Sequence, residues 1–235
     1  MRIDIFSDVV CPWCYIGKRR LEAALADFEH SDDVEVVWRS YQLDPTAEKN
    51  ARVTTVEALG TKFPGGPEQV RQMLARTQQV AAEEGLEFGG SSWHANTVDA
   101  HRLLHLAHEV GGASLQGELK EALFRAHFTD NLNVDDPEVL VEVAGAVGLP
   151  VERVRQVLAG EEFVDAVRAD IDQARAYGAT GVPFFVVDGK YGVSGAQPKE
   201  AFAQVLERAW AEAHPALTVV DADGSEVCGP DGCAV

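Results

Sequence analysis

Positive charge is scarce in this chain: 20 Lys and Arg stand against 38 Asp and Glu over 235 residues, a formal net charge of −18. Binding to a nucleic-acid backbone draws on counterion release and needs clustered cations. No stretch is rich in Lys or Arg, so nucleic acid is excluded as a partner, as is an anionic membrane surface. Also missing is any run near the roughly 18 apolar residues of a spanning helix. The opening MRIDIFSDVV starts as a strand rather than as a charged leader with an apolar stretch. A cytoplasmic protein is the expectation. No internal repeat, no phosphate-cradling glycine loop after a strand and no Gly-x-Ser-x-Gly elbow occurs. What is present is 46% hydrophobic residues with charge spread along the chain, enough for a substantial core.

Cysteine is the next rarity, and the placement of the four residues says more than their number. They form two tight pairs, Cys11-Pro12-Trp13-Cys14 and Cys228-Gly-Pro-Asp-Gly-Cys233, with none between. In a reducing compartment, paired cysteines point to redox catalysis or metal binding before structural crosslinks. Residues 2–6 read as a strand, 13–28 as a helix with Pro12 in its first turn, and 34–38 as a second strand. The first pair therefore lies at a strand-to-helix junction. A disulfide-exchange catalyst needs one exposed, ionised thiol and a second within reach. Cys11 stands where free amides and the helix dipole favour thiolate, and Cys14, one turn on, points inward as the resolving thiol. A metal half-site or two incidental thiols are the competing readings.

Between about 53 and 177 the texture turns helical, with segments at 68–84, 96–110, 115–126, 137–147, 151–158 and 161–177; Asp136 caps the helix that Pro137 begins. Residues 183–187 then form an apolar strand, Asp188-Gly189 signals a hairpin, 190–194 is its partner and 198–213 a last helix. Pro183 fits as the first residue of its strand. The predicted fold class is α/β. Residues 1–50 (βαβ) and 178–213 (ββα) make one unit, 51–177 an all-helical insertion, and 214–235 a tail with the second cysteine pair and a short strand at 217–220.

Cys11-Pro12-Trp13-Cys14 after a first strand, a helical insertion, and then Thr180-Gly181-Val182-Pro183-Phe184-Phe185 resemble the thioredoxin superfamily, specifically the DsbA family. The texture Phe6-Ser7-Asp8-Val9-Val10 before Cys11, with Tyr15-Ile16-Gly17 after Cys14 and Ser194-Gly195-Ala196-Gln197 near the end, is similar to its FrnE-like branch. The resemblance covers nearly all of 1–213 and implies a thioredoxin-like fold with a large helical insertion. It implies a cis peptide between Val182 and Pro183 beside the Cys11 sulfur, with the Val182 backbone offering strand-like bonds to a substrate peptide and the insertion covering one side of that groove. The implied activity is thiol–disulfide oxidoreduction or isomerisation of disulfide-containing protein substrates, without cofactor or metal, and with a thiol reductant such as glutathione or the thioredoxin system as partner. Strongly oxidising members carry a histidine between the cysteines. Pro12 and Trp13 are uncharged, which implies a less oxidising couple.

Cys228 and Cys233 flank a strong turn sequence. Three readings stand: an accessory dithiol that exchanges with the first pair, an inert local disulfide, or soft-metal binding by four thiolates. His101, His105 and His108 share a helix face opposite Ala100, Leu103, Leu104, Ala107 and Val110, and read as a solvated or groove-facing stripe rather than a metal site. Asn96, Thr97 and Arg102 are substrate contacts by family analogy only, Asn96 being equally a helix cap. Asp8 reads as a loop-amide acceptor before a catalytic group. Trp13 forms an apolar rim, and Tyr15 is buried. Two other functions compete: a glutathione-dependent small-molecule isomerase or transferase of the same fold, against which both cysteines argue, and a metal-buffering or client-binding protein.

Overall fold

A computed structural model describes residues 1–89 and 92–215. Cys228, Cys233 and the 217–220 strand lie outside the described residues.

The chain opens with β1 (Arg2–Ser7), α1 (Pro12–Ala26) and, after a 3-10 turn at Ser31–Asp33, β2 (Glu35–Ser40). Six helices follow: α2 (Thr55–Gly60), α3 (Gly66–Glu83), α4 (Val98–Phe128), α5 (Pro137–Ala146), α6 (Val151–Ala159) and α7 (Val164–Ala176). The hairpin β3 (Phe184–Val187) and β4 (Tyr191–Ser194) and the helix α8 (Lys199–Ala213) complete it. The sheet order is β2-β1-β3-β4. β1 pairs in parallel with β2, Arg2 opposite Glu35, and antiparallel with β3, Ile5 opposite Phe185. A parallel pair needs a crossover, and α1 supplies it. This is the thioredoxin-like βαβ…ββα arrangement, with an all-helical stretch between β2 and β3.

Strand alternation decides what lies on each face. Ile3 and Ile5, with Phe185, Val187 and Val193, face α1 and α8 and join a cluster containing Leu21, Phe28, Phe202 and Leu206. Phe6, Phe184 and Val186 face the other way, against Ala174 of α7 and Ala179. The first cluster also takes in Ala81 of α3 and Phe124 and Phe128 of α4, so the inserted helices share a core with the sheet. A second cluster, with Leu103, Leu106, Leu119, Leu140 and Val154, holds α4, α5 and α6 together.

The two helices predicted at 96–110 and 115–126 are both present: the span labelled α4 is two helices joined at a kink where Gly111 and Gly112 leave helical geometry (φ 67°, ψ −160° at Gly112). Two details differ from the sequence expectation. The short α2 was not foreseen; Thr54 caps it, and Glu57 returns the bond in a capping box. The hairpin turn is three residues long, from Asp188 (φ 49°) through Gly189 (φ 65°) to Lys190.

Candidate active site

Cys11 is the N-cap of α1, with extended backbone and Pro12 following it into the helix. The Cys14 amide donates to the Cys11 carbonyl at 3.0 Å, which closes the first turn and places the two thiols on successive turns of chain. Both are free. The Cys11 Sγ–H donates to the Val182 carbonyl at 3.5 Å, and the Val182–Pro183 peptide is cis. The two motifs, distant in sequence, thus meet at one point. Gly17 permits this meeting: a Cβ there would lie 3.1 Å from Pro183 Cγ and 3.2 Å from Phe185 Cζ. Removing the side chain lets α1 lie against the Pro183 loop.

Exposure departs from expectation. Cys11 retains 4% of its surface rather than standing free, because the Val182–Pro183 segment covers it. Cys14 is more enclosed, at 1%. Burial pushes its thiol well above its ordinary range, the adjacent Cys11 pushes the same way, and the charge of Lys120 opposes both. Trp13, by contrast, is 41% exposed and forms an apolar rim beside the thiols.

Asp8 is buried, accepts from the Leu43 amide at 2.8 Å and meets His101 Nε2 at 3.3 Å. Burial works to raise its carboxyl, but the His101 and Leu43 hydrogen bonds outweigh that and hold it below the ordinary value. Burial lowers His101, so the imidazole is neutral and donates Nε2–H to the Asp8 carboxylate. The loop-amide reading of Asp8 holds, and His101 is its second partner.

Lys120 was missed entirely. It lies on α4 with 0% exposure, and its Nζ has no hydrogen-bond partner among the described residues. Sequence did hold a signal. Gln116, Lys120, Phe124 and His127 recur at intervals of four, four and three, one helical stripe in which three polar residues share a face with a phenylalanine, and all four are buried.

The histidine stripe is not solvated: His101 is fully buried, and His105 meets Ser40 Oγ and Asp170 Oδ2, each at 3.1 Å, so that only His108 is exposed. The reason is that α4 is enclosed by the sheet side on one flank and α5 and α6 on the other. Arg102 is buried, donating to the carbonyls of Val157, Gly160 and Glu162 and pairing with Asp99, so it closes the C-terminal end of α6. Asn96 donates to the Ala47 carbonyl and accepts from the Val98 amide, while Thr97, the N-cap residue, makes no side-chain cap bond. Tyr15 is buried as expected, stacked on Phe124 at 4.8 Å with its hydroxyl donating to Glu121 at 2.6 Å.

Among the described residues no cluster of His, Cys, Asp or Glu is placed to hold a metal, and no helix is long and apolar enough to cross a membrane. A cavity of about 370 Å³ adjoins Val10, the residue before Cys11, and is lined by Leu43, Leu59, Phe63 and Trp93 with Asp44, Lys62 and His94. A larger one, about 750 Å³, lies between α1, β2 and α4, and neither cysteine lines it.

Residues 2–207 match the family model of the DSBA-like thioredoxin domain. The crystal structure of a probable DsbA oxidoreductase from Streptomyces coelicolor is 48% identical, with a TM-score of 0.85 over 100% of this chain and 99% of that one. The protein YwbO of Bacillus subtilis (strain 168) is 27% identical over 209 residues, 88% of this chain and 96% of that protein. A 2-hydroxychromene-2-carboxylate isomerase, 14% identical, shares the fold with a TM-score of 0.69 over 91% of this chain and 98% of that one. With the fold, the Cys11–Cys14 turn and the cis Val182–Pro183 bond all in place, the chain belongs to the DSBA-like thioredoxin domain family of thiol oxidoreductases.

Proposed function

We propose that the protein exchanges disulfides of protein substrates in the cytoplasm, as a reductase or isomerase. The observation that carries this reading is the placement of Cys11 at the start of α1, one turn before buried Cys14 and 3.5 Å from the Val182 carbonyl. The Cys11 thiolate attacks a substrate sulfur and the other substrate sulfur leaves. Cys14 then displaces the mixed disulfide, releasing a reduced substrate and leaving Cys11–Cys14 oxidised. An extended substrate pairs with the Val182 backbone as an added strand. Pro12, Trp13 and Pro183 form the walls of that site, with exposed Leu43 beyond. The cycle uses no cofactor; a thiol reductant, glutathione or the thioredoxin system, resets it. The uncharged Pro12-Trp13 gap suits reduction or isomerisation better than one-way oxidation. Cys228 and Cys233 serve as an accessory dithiol that exchanges with the first pair, and equal single-turnover rates in wild type and in Cys228→Ser/Cys233→Ser would remove that role.

Insulin reduction tests the main reading. Cys11→Ser is expected to fall to background, and Cys14→Ser to accumulate a covalent Cys11–substrate adduct visible by mass spectrometry. A Cys11→Ser chain as active as wild type would overturn it. The isomerase with the same fold favours one other reading, glutathione-dependent conversion of a small molecule. Saturable turnover of a glutathione adduct, with no Cys11–Cys14 disulfide formed in glutathione buffer, would select it instead.

A further inference from the structure

Three Lys or Arg side chains are buried among the described residues: Lys18, Arg102 and Lys120. Lys18 pairs with Glu22 and Glu121, and Arg102 with Asp99 and a set of carbonyls. Among the described residues Lys120 has neither ion pair nor hydrogen bond. Its Nζ lies 4.8 Å from the centre of the Phe124 ring and 5.3 Å from that of Trp38. Phe124 in turn stacks on Tyr15, the residue after Cys14, and Trp38, Phe124, Tyr15, Cys14 and Cys11 all belong to one apolar cluster. An ammonium held in such a place without a hydrogen-bond partner is costly, and the charge that Cys14 feels from it gives the cost a use.

The titratable groups around it are few. From α1 and its N-cap come Cys14 and Cys11, and from the β1–α1 loop comes Asp8. From its own helix come His101, which feels the lysine charge, and His127, which feels that of Asp8. β2 contributes the Trp38 ring, whereas Arg39 beyond it is engaged by Asp4 and Asp170. With Asp8 ionised, His101 neutral and Lys120 protonated, the pocket is neutral while both thiols keep their protons.

We propose that Lys120 is the buried counter-charge of the Cys14 thiolate formed when Cys14 resolves the mixed disulfide on Cys11. This rests on the disulfide-exchange reading above. In the step, Cys14 Sγ gives up its proton to solvent and attacks Cys11 Sγ. The Cys11–substrate bond breaks as the Cys11–Cys14 bond forms, its electron pair leaves on the substrate sulfur, and that sulfur takes up a proton and departs as a thiol. Lys120 keeps its own proton throughout and acts as a positioning residue, through Cys14. Burial brings Lys120 down to about 8, so it remains mostly charged at neutral pH.

The test uses the full chain carrying Cys228→Ser/Cys233→Ser, so that only the first pair reacts. Mixed with an aromatic disulfide such as dithiobis-nitrobenzoate, the reduced protein releases one coloured thiol when Cys11 attacks and a second when Cys14 resolves. Lys120→Met is expected to slow the second phase about tenfold relative to the first, the shift of about one pH unit expected on losing a nearby cation. Its pH profile should move upward to match. Lys120→Arg, which keeps the charge, should restore the ratio. Lys120→Gln is the second neutral variant should the methionine not fold. Titrating the Cys14 thiolate absorbance in a background that also carries Cys11→Ser reads the interaction without turnover. An unchanged Cys14 midpoint and an unchanged phase ratio in the neutral variants would overturn the proposal. A wild-type protein that releases no coloured thiol would instead overturn the disulfide-exchange reading, while the titration would still judge Lys120.

Discussion

His127 is buried without a partner for its Nδ1 among the described residues, and burial holds its imidazole down at about 4 against an ordinary 6.5, the charge of Asp8 only partly opposing. In the unfolded chain the same ring protonates near 6.5, so between those values the unfolded state binds more protons and stability falls as pH falls. The gap corresponds to about 3 kcal/mol, lost progressively between pH 6.5 and 4. Urea titrations of wild type and His127→Leu should therefore converge in slope at pH 7 and separate in midpoint on acidification, the variant losing less; parallel loss would show that His127 does not sense acid. The stripe it shares with Gln116, Lys120 and Phe124 was the one mark on this residue, and it is easily passed over because a histidine near a helix end is ordinarily a solvated C-terminal cation. Cys11, Cys14 and Pro183 were legible because their chemistry depends on spacing along the chain. For Lys120 and His127 the sequence offered only their shared helical stripe, because their surroundings arise from enclosure, which tertiary packing imposes.

At the scale of elements, the bend in α4 does the most to assemble the site. Gly112 takes φ 67° and ψ −160°, a conformation essentially closed to residues with a Cβ, and it joins the half carrying His101 to the half carrying Lys120. Gly112→Ala is expected to cost about 1–3 kcal/mol by denaturant unfolding. Gly117→Ala, within the regular second half where the nearest atom to an added Cβ is Trp38 Nε1 at 3.9 Å, should be neutral or stabilising by up to about 1 kcal/mol. Equal effects at the two positions would show that the bend is not conformationally enforced. The pattern of apolar residues on each side of Gly111 was strong enough to place two helices at 96–110 and 115–126. A pair of glycines reads as a break, and the kink at Gly111 and Gly112 bears that out; the periodicity carries no information on the angle between the two helices.

Across the whole molecule, the charge of −18 surrounds a site whose reacting species is itself anionic. Such a field attracts cationic substrates and repels acidic ones over about a Debye length. The kcat/KM for a Lys-flanked peptide disulfide should exceed that of a Glu-flanked analogue at about 10 mM salt, and the two should approach each other near 0.5 M; a salt-independent ratio would show that the local site, not the global field, sets the preference. The βαβ and ββα flanks were readable because β1 alternates Ile3 and Ile5 with polar residues and β3 is a short apolar run ended by a turn signal. Less readable was the sharing of one core by the sheet, α3 and α4, which depends on Phe124 and Phe128 reaching Tyr15. The meeting of Cys11 and Val182, 171 residues apart, has a consequence for biosynthesis. A ribosome adding about 5–20 residues per second leaves the dithiol without its covering segment for roughly ten to thirty seconds. Every newly made copy passes through an interval as an unshielded dithiol, before the segment that encloses Cys11 has been translated.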